Sequence, residues 1–431
     1  MEFPNRFTTL ANGLDVIAIQ RPGARTAMLN VDVHVGARYE APEDSGLSHL
    51  LEHMLFQGSE RHGAPVRINR LAESLGAALN GCTSRDATRI EHWVSADRLE
   101  ESARLVAGLL EAPRFEELET ERQIVIEEAL EEFDETGRRT DPETLSRRAA
   151  WPECPLGHPI VGEIEALERF ELADLKRHHA KHYGAANMLL TVVGPAEPAR
   201  LLAAVEGPFS RLPTGIRTPP APAVISAGPV VVRVDDTGSQ CECRLLFHTP
   251  GRTSPLAHAL SVSRLVLDDG MASRLHQRLG AELGLAYDQW AMWEGYPDAG
   301  LFEFGALVSP DKVETFFTEA YALAQELSQR PPRGEELERL RFRIRWAFES
   351  AMESPDGLIN AFSQPRFYDE ELTHPERLLE TLLAVTPEEI AGAAEAVFRP
   401  DGAVLTCVGP MNKATRRALR ALPRRWGASG S

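Results

Sequence analysis

The 431-residue chain lacks several features that would assign it to common protein classes. No apolar run approaches the roughly 20 residues that a membrane-spanning helix needs. The first residues show no basic segment followed by an apolar stretch, as a secretory signal would. The five cysteines are odd in number and scattered, so they match neither a disulfide framework nor a zinc-ribbon spacing. Together these absences predict a cytoplasmic protein without a membrane-spanning segment.

The chain also has fewer positively than negatively charged residues. The chain has 46 lysines and arginines against 64 aspartates and glutamates, a formal net charge of −18. Such a balance argues against nucleic acid or an anionic membrane surface as the main partner. With 43% hydrophobic residues over this length, the chain can bury enough core for more than one domain.

Two distant segments of the chain have similar sequences. Residues 187–195 read Asn-Met-Leu-Leu-Thr-Val-Val-Gly-Pro, and residues 402–410 read Gly-Ala-Val-Leu-Thr-Cys-Val-Gly-Pro, at a constant offset of 215. A period of this size indicates duplication of a whole domain. We therefore predict a first domain over 1–207, a stiff proline-rich linker over 208–228 and a second domain over 229–431.

The predicted elements alternate between strands and helices in both halves. A hairpin turning at Asn12-Gly13 opens the first half. Strands are expected at 26–35, 88–94, 230–234, 241–247 and 301–308, and helices at 46–57, 66–76, 98–112, 116–135, 256–267, 310–329, 335–352 and 387–397. This order predicts an α+β fold of two homologous α/β-sandwich domains, each a mostly antiparallel sheet with helices on one face.

His49 and His53 stand four residues apart with Glu52 between them, in the pentapeptide His-Leu-Leu-Glu-His. On a helix, His53 lies about 40° from His49 and Glu52 about 60° the other way, so the three side chains share one face. The imidazoles can converge on one zinc ion, and the carboxylate can take a proton from a water that the zinc activates. This order, the reverse of His-Glu-x-x-His, is the inverzincin signature.

A chance match on a solvated helix is the alternative. The pentapeptide follows a loop at 41–46 and continues as Met-Leu-Phe at 54–56, so the helix is largely apolar. Unpaired histidines and a carboxylate on a packed helix would be costly, and a metal removes that cost. The surroundings therefore favour a metal site.

The duplication confines this site to the first half, because adding 215 to His49 and His53 gives Arg264 and Asp268. A catalytic zinc usually has three protein ligands and an open position for water. The third ligand is expected from the helix at 116–135. Four of its glutamates lie within about 60° of one stripe, and geometry does not choose among Glu121, Glu128, Glu131 and Glu132.

Taken together, these motifs resemble the family of pitrilysin, insulin-degrading enzyme and mitochondrial processing peptidase. The pentapeptide is followed 75 residues later by Glu128 within Glu-Arg-x-x-Val-Ile-x-Glu. The resemblance covers most of the chain, and its length suits the compact bacterial branch, in which two such domains form half of a clamshell. Further matching motifs are Val35-Gly-Ala-Arg-Tyr-Glu40, Leu79-Asn80-x-x-Thr83-Ser84-Arg85-Asp86, Pro155-Leu-Gly-His-Pro-Ile-Val-Gly162, Ser273-Arg-Leu275 and Gly284-Leu-Ala-Tyr287.

The resemblance implies a zinc endopeptidase that hydrolyses short or unfolded peptides in an enclosed chamber. It assigns one Zn²⁺ per chain to His49, His53 and Glu128, with Glu52 as the general base and Glu121 orienting a ligating histidine. It also places the strand of Asn80, Gly81, Cys82 and Thr83 beside an extended substrate, although Asn80 could equally be a turn residue. Tyr287 could donate a hydrogen bond to an oxyanion, or could simply pack.

One position departs from the family pattern. The family has an arginine seven residues before the tyrosine of Gly-Leu-Ala-Tyr, where this chain has Gly280, and Arg278 is rotated about 200° away on a helix. Some family members divide the metal and the arginine–tyrosine pair between two subunits. A homodimer, or a heterodimer with a metal-free homologue, is therefore expected. The alternatives are a non-proteolytic structural or scaffold subunit and a dedicated maturation protease for one peptide.

Three further histidines, His178, His179 and His182, follow each other on a polar helical segment before Tyr183. Their spacing and surroundings predict a solvated helix face without a metal-binding role.

Overall fold

The computed structural model describes residues 3–368 and 374–429, which group into two compact units. The first unit consists of Met1–Leu130, His158–Ala221 and Glu349–Pro375. The second consists of Glu131–Gly157, Pro222–Phe348 and Glu376–Ser431. Each unit is therefore built mainly from one half of the chain, together with one short segment from the other half.

The first part of the chain alternates between strands and helices. Its elements are β1 (Asn5–Thr9), β2 (Asp15–Gln20), β3 (Thr26–Val33), α1 (Leu47–Leu55), α2 (Pro65–Leu75), β4 (Asn80–Thr83), β5 (Thr88–Ser95), α3 (Leu99–Glu111), α4 (Leu118–Leu130), α5 (Pro142–Ala150), α6 (Ile164–Leu167), α7 (Leu172–His182), β6 (Met188–Gly194) and α8 (Pro198–Phe209).

The second part repeats this alternation and ends in a series of helices. Its elements are β7 (Val230–Val234), β8 (Cys241–Thr249), α9 (Ala257–Leu267), a π-helical segment (His276–Glu282), β9 (Ala286–Gly295), β10 (Gly300–Val308), α10 (Val313–Gln329), α11 (Glu335–Met352), α12 (Pro355–Phe367), α13 (Pro375–Ala384), α14 (Pro387–Val397), β11 (Ala403–Val408) and α15 (Lys413–Ser429). None of the helices within the described ranges combines the length and apolarity needed to cross a membrane.

The first unit contains a six-stranded sheet in the order β1-β2-β6-β3-β5-β4. The predicted hairpin is confirmed, since Phe7 pairs with Ile17 across an antiparallel ladder. Only the pairing of β2 with β6 is parallel. The short strand β4 lies at the edge of the sheet, paired with β5.

Both faces of this sheet are covered. Val16, Ala18, Leu29 and Val31 point to one face and belong to a core shared with residues of α1, α3 and α8. Their chain neighbours point to the other face, as strand alternation requires. That second face packs on α12, and the residues on this side are Ile17, Ile19, Met28, Leu189 and Val193, in contact with Leu358, Ile359 and Phe362.

The second unit repeats the pattern with a five-stranded sheet in the order β7-β11-β8-β10-β9. One face carries α9, α10 and α14, and α5 packs on the other through Ala150, which shares a small core with Leu246 and Val404. The equivalent strands β6 and β11 are completely buried in their sheets. The predicted α+β fold with two similar sheets is confirmed, and each sheet carries one additional helix on its second face.

Candidate metal centre

The helix α1 begins at an unusual backbone position that Glu40 stabilises. Gly46 precedes the helix with φ 96°, and a Cβ there would lie 2.6 Å from the carbonyl oxygen of Val161, so only glycine fits. The two carboxylate oxygens of Glu40 accept hydrogen bonds from the N–H groups of Gly46 and Ser48 at 2.9 and 2.7 Å. An acidic side chain is favourable at this positive end of the helix dipole. Glu40 thereby fixes the start of the helix that carries the paired histidines.

The structure brings His49, His53 and Glu128 together. Nε2 of His49 lies 3.8 Å from Oε1 of Glu128, and Nε2 of His53 lies 3.9 Å from Oε2 of the same carboxylate. Metal–ligand bonds of about 2.0–2.1 Å in a tetrahedral site would place ligand atoms about 3.4 Å apart. The three donor groups, all within 4.8 Å of one another, are close to that spacing.

The electrostatics of these side chains also fit a metal ligand set. Burial lowers the pKa of His49 to about 4, with a smaller contribution from neighbouring His53. His49 is therefore neutral at physiological pH, the form that binds a metal. Two imidazoles and one carboxylate are a common ligand set for catalytic zinc. The residues present therefore fit Zn²⁺.

Glu121 lies behind one of the two histidines. Its Oε2 is 3.2 Å from Nδ1 of His53, and its side chain is buried on the same stripe of α4 as Glu128, two turns earlier. A hydrogen bond donated by Nδ1 to this carboxylate leaves Nε2 of His53 directed at Glu128. Nδ1 of His49, in contrast, has no hydrogen-bond partner in the part of the chain that the structure describes.

Glu52 lies on the same face of α1 and contacts the edge strand. Thr83 Oγ1 donates a hydrogen bond to Oε2 of Glu52 at 2.7 Å. Burial raises the pKa of the Glu52 carboxyl, and the Thr83 hydrogen bond partly opposes that shift. The carboxyl group is thus held by one oxygen, with its proton affinity increased.

The second oxygen of Glu52 lies over Gly81 of β4. A Cβ at Gly81 would be 2.4 Å from Oε1 of Glu52 and 2.6 Å from Cε2 of Phe56. The absence of a side chain at Gly81 therefore lets the carboxylate approach the edge strand closely. Gly81 and Thr83 face Glu52, so Cys82 faces the opposite side of the strand.

The other predicted substrate residues lie in different surroundings. Asn80 is exposed at the start of β4, and its Nδ2 is 3.4 Å from Oε2 of Glu91. Tyr287 belongs to the second unit, near the start of β9, with a fully exposed side chain. Arg278 of the same unit donates hydrogen bonds to Glu319 and Glu282 at 2.8 and 2.9 Å.

The predicted solvated face at His178 and His182 is wrong. Their side chains are 5% and 0% exposed, and Nε2 of His178 is 3.0 Å from Oγ of Ser48. The histidine side of α7 packs against α1, which the polar composition of the segment concealed. The roles of Glu40 and Ser48 were also missed, because Glu40 lies seven residues before the first residue of α1 and no local spacing links it to the helix start.

Two family models match the chain. The model described as insulinase, peptidase family M16, matches residues 15–163, and the model described as the peptidase M16 inactive domain matches residues 169–344. The first match contains all of the candidate metal ligands.

Individual relatives match over most of the chain. An uncharacterized zinc protease from Rickettsia bellii is 26% identical over 94% of this chain and 97% of its own length. An uncharacterized zinc protease from Mycobacterium leprae is 30% identical over 71% of this chain and 69% of its own length. A protease structure from Helicobacter pylori, 22% identical, has a TM-score of 0.88 and covers 94% of this chain and 100% of that chain, which shows the same fold.

Proposed function

The chain belongs to the M16 peptidase family, and on that basis we propose that it is a zinc-dependent endopeptidase for short or unfolded peptides. The observation that carries the proposal is the cluster of His49, His53 and Glu128, with Glu52 beside it on the same helix face. Bound zinc supplies a Lewis acid that polarises a peptide carbonyl and lowers the pKa of a water.

Glu52 is the proposed general base. With Oε2 held by Thr83, Oε1 can accept a proton from the attacking water as the new carbon–oxygen bond forms. The same carboxyl group then gives this proton to the amine nitrogen as the peptide carbon–nitrogen bond breaks. Its raised pKa favours the first of these steps, because a more basic carboxylate accepts the proton more readily.

The edge strand β4 is the proposed substrate-binding element. Its free edge can pair with an extended peptide, which adds one further strand to the sheet. The four residues Asn80, Gly81, Cys82 and Thr83 then contact the peptide mainly through their main chain, which tolerates many substrate sequences. Tyr287 is proposed to contribute a hydrogen-bond donor from the second domain.

The test is digestion of a library of unstructured peptides with and without a chelator. We expect cleavage that the chelator abolishes and that added zinc restores. A zinc content near zero in the purified chain, with no effect of His49→Ala, would instead support a structural subunit of the same fold. Cleavage of one peptide only would indicate a dedicated maturation protease.

The dimer is a further part of the proposal, motivated by Gly280 in place of the family arginine. Among the residues that the structure describes, a Cβ at this position would have two neighbours within 4 Å, Nε2 of Gln289 at 3.5 Å and the carbonyl oxygen of Ala286 at 4.0 Å. The isolated chain should cleave peptides poorly and gain activity when a metal-free homologue is added. Full activity of the isolated chain, unchanged by Gly280→Arg, would contradict the heterodimer.

A further inference from the structure

The last helix of the second unit, α15, carries positive charge only. Residues 402–431 contain no acidic side chain, although the chain as a whole has a formal net charge of −18. The basic residues of this stretch all lie on α15, and they are Lys413, Arg416, Arg417, Arg420, Arg424 and Arg425. Net charge does not reveal such a local patch. At physiological ionic strength, charges more than about 8–10 Å away are largely screened, so the patch can attract an anion at short range.

The apolar and basic residues of α15 occupy opposite faces. Leu419, Leu422 and Trp426 are buried, and the Trp426 ring stacks on Tyr321 of α10 with centroids 4.3 Å apart. Four exposed basic residues lie within about 60° of one another on the other side of the helix. We call these residues the basic stripe, and they are Lys413, Arg417, Arg420 and Arg424. At 1.5 Å per residue the stripe is about 16 Å long.

The basic stripe lacks a counter-charge within the part of the chain that the structure describes. None of its four side chains forms an ion pair or a hydrogen bond there. The two other arginines of the helix differ in this respect. Arg416 donates to both carboxylate oxygens of Asp235 at 2.6 and 2.7 Å, and Arg425 donates to Glu314 at 2.6 Å. The acidic residues beside α15 are therefore already paired with arginines outside the stripe.

The positive charges on this face repel one another. Successive residues of the stripe stand three or four positions apart, with Cβ atoms about 5–6 Å from one another, and like charges at this spacing destabilise a helix. Arg233 of β7 adds a further charge. Burial lowers the pKa of its guanidinium, and the charges of Arg420 and Arg416 lower that pKa further, against the effect of Asp235. A concentration of one sign, where surfaces usually mix both, indicates an anionic partner.

An open hollow of about 380 Å³ lies on this face of α15. The small side chain of Ala421 lines it together with four arginines, which are Arg417, Arg420, Arg424 and Arg425. A guanidinium group presents a planar fork of N–H donors that binds phosphate or carboxylate through two hydrogen bonds. The hollow can therefore hold an oxyanion between several arginines.

The exposed surface of α15 favours one class of anionic partner. A protein interface normally has aromatic or apolar residues at its centre, and a membrane-bound helix inserts an apolar face into the lipid. The large apolar residues of α15 are all buried instead. Single-stranded nucleic acids stack their bases on aromatic side chains, and the described part of α15 exposes none. A nucleic acid duplex presents a dense row of phosphates and needs neither feature.

We propose that the basic stripe of α15 binds the phosphate backbone of a nucleic acid duplex without base specificity. This interaction is separate from the proposed peptide hydrolysis. The net charge of the chain, which argues against nucleic acid as the main partner, limits its affinity. Contact with about four phosphates should make the logarithm of the binding constant fall with the logarithm of the salt concentration at a slope of about −3.6.

The direct test is fluorescence anisotropy of a short labelled DNA duplex titrated with the full-length chain. We expect a Kd on the order of 10 µM at about 50 mM salt and an affinity about 100-fold lower at about 200 mM salt. A duplex of scrambled sequence should bind with an affinity within about 2-fold, because phosphates carry no sequence information. Binding that does not respond to salt, or no binding at the lower salt concentration, would overturn the proposal.

A charge-reversal variant tests the stripe itself. It carries Arg417→Glu, Arg420→Glu and Arg424→Glu, and its affinity for the duplex should fall at least 30-fold. The matched control changes the net charge by the same amount at three exposed arginines elsewhere in the second unit. It carries Arg330→Glu, Arg341→Glu and Arg345→Glu, and its affinity should fall by less than about 3-fold, because distant charges are screened. Equal losses in the two variants would show that net charge, and not the stripe, controls binding.

A neutral variant separates binding from folding. Combined Arg417→Gln, Arg420→Gln and Arg424→Gln substitutions remove the repulsion within the stripe, so the Tm of this variant should equal or exceed that of the wild type. Its affinity for the duplex should nevertheless fall at least 10-fold. If the charge-reversal variant fails to fold, this variant decides the proposal, and wild-type affinity in the neutral variant would overturn it.

Competition identifies the class of anion. Poly-glutamate, and vesicles of phosphatidylcholine with about one-third phosphatidylglycerol, are added at the same concentration of negative charge as unlabelled duplex. Both should displace the labelled duplex less effectively than the unlabelled duplex does. Stronger displacement by poly-glutamate would identify an acidic protein as the partner, and stronger displacement by the vesicles would identify a membrane surface; either result would overturn the assignment to nucleic acid.

Discussion

At the scale of single residues, Thr83 acquires a role that the sequence did not indicate. Sequence similarity placed it in the substrate-binding strand, whereas its hydroxyl donates to Glu52 at 2.7 Å. A hydrogen bond to a charged group contributes about 1.5–3 kcal/mol. Thr83 can therefore orient Glu52, the proposed general base, in addition to its proposed contact with substrate.

Thr83→Val tests this orientation. We expect kcat to fall about 10- to 100-fold, corresponding to loss of that hydrogen bond, while the zinc content is unchanged. Thr191→Val is the control, because Thr191 is also a buried strand residue and lies on β6, three strands away from β4 in the sheet. Steady-state kinetics and metal analysis on both variants give the answer, and equal effects of the two substitutions would argue against the assigned role.

Glu121 should act through the metal rather than through the substrate. Replacing it with glutamine weakens the partner of Nδ1 of His53 and should lower zinc affinity about 10- to 100-fold. Zinc competition with a chromophoric chelator measures this change. The matched control is Glu127→Gln, an exposed residue of the same helix, which should leave zinc affinity unaltered. Unaltered affinity in Glu121→Gln would show that Glu121 does not support the metal site.

The residues that could be predicted from sequence are those related by helix periodicity. His49, Glu52 and His53 share one helix, and Glu121 and Glu128 share another, so local spacing was sufficient to group each set. Assigning Glu128 to the same site as the two histidines required the family resemblance. Helix periodicity does not show that α1 and α4 pack together, because that is a tertiary contact. The bonds of Glu40 and Thr83 were missed for the same reason.

At the scale of elements, the start of α1 depends on a buried carboxyl group. Burial raises the pKa of Glu40 to about 7 from its ordinary value of 4.5, against the opposing effect of the hydrogen bonds from Ser48 and Gly46. A raised carboxyl pKa gives a stability contribution that is complete below pH 4.5 and is lost as the pH rises through 7.

Glu40→Gln removes this titration. The variant should gain stability relative to the wild type between pH 5 and 8, by up to about 3 kcal/mol, since each pKa unit corresponds to 1.36 kcal/mol. Urea unfolding of the metal-free proteins across this range measures the difference. Glu43→Gln, an exposed neighbour in the preceding loop, should show no such trend. A constant difference between wild type and Glu40→Gln would contradict the buried titration.

Most of the elements could be predicted from hydrophobic periodicity. The hairpin at Asn12-Gly13 and the helices over 47–55 and 99–111 agree with the patterns within one or two residues. In contrast, β9, α12 and α15 were missed. Helix α12 contains Pro365, and α15 contains Pro423 among many arginines, so tertiary packing overrides weak local signals in both.

At the scale of the whole molecule, the duplication appears in corresponding elements. Helices α7 and α14 and strands β6 and β11 occur in the same order in the two halves, close to the 215-residue offset. Glu131–Gly157 and Glu349–Pro375 each join the unit that is built mainly from the other half of the chain. This exchange was not predicted, because hydrophobic periodicity reports on local structure and carries no information about which unit a segment joins. The boundaries proposed at 207 and 229 remain a prediction.

The contribution of Glu349–Pro375 to the first unit allows a prediction about a truncated chain. Residues 1–207 alone would expose the sheet face that α12 covers, including Ile17, Ile19 and Met28. We expect this fragment to aggregate, and we expect a peptide of residues 349–375 to restore a monodisperse species in size-exclusion chromatography. The same peptide with Leu358→Glu and Phe362→Glu should not restore it. A soluble, cooperatively folding fragment without the peptide would contradict the structural role of α12.

We propose that this chain holds zinc through His49, His53 and Glu128 and uses Glu52 as the base in peptide hydrolysis. The most direct measurement is the rate at which zinc-loaded Glu52→Gln cleaves an unstructured peptide, together with the zinc content of the same sample. We predict close to one zinc per chain and a kcat about 10²- to 10⁴-fold below that of the wild type. Retained zinc with undiminished cleavage would contradict the account.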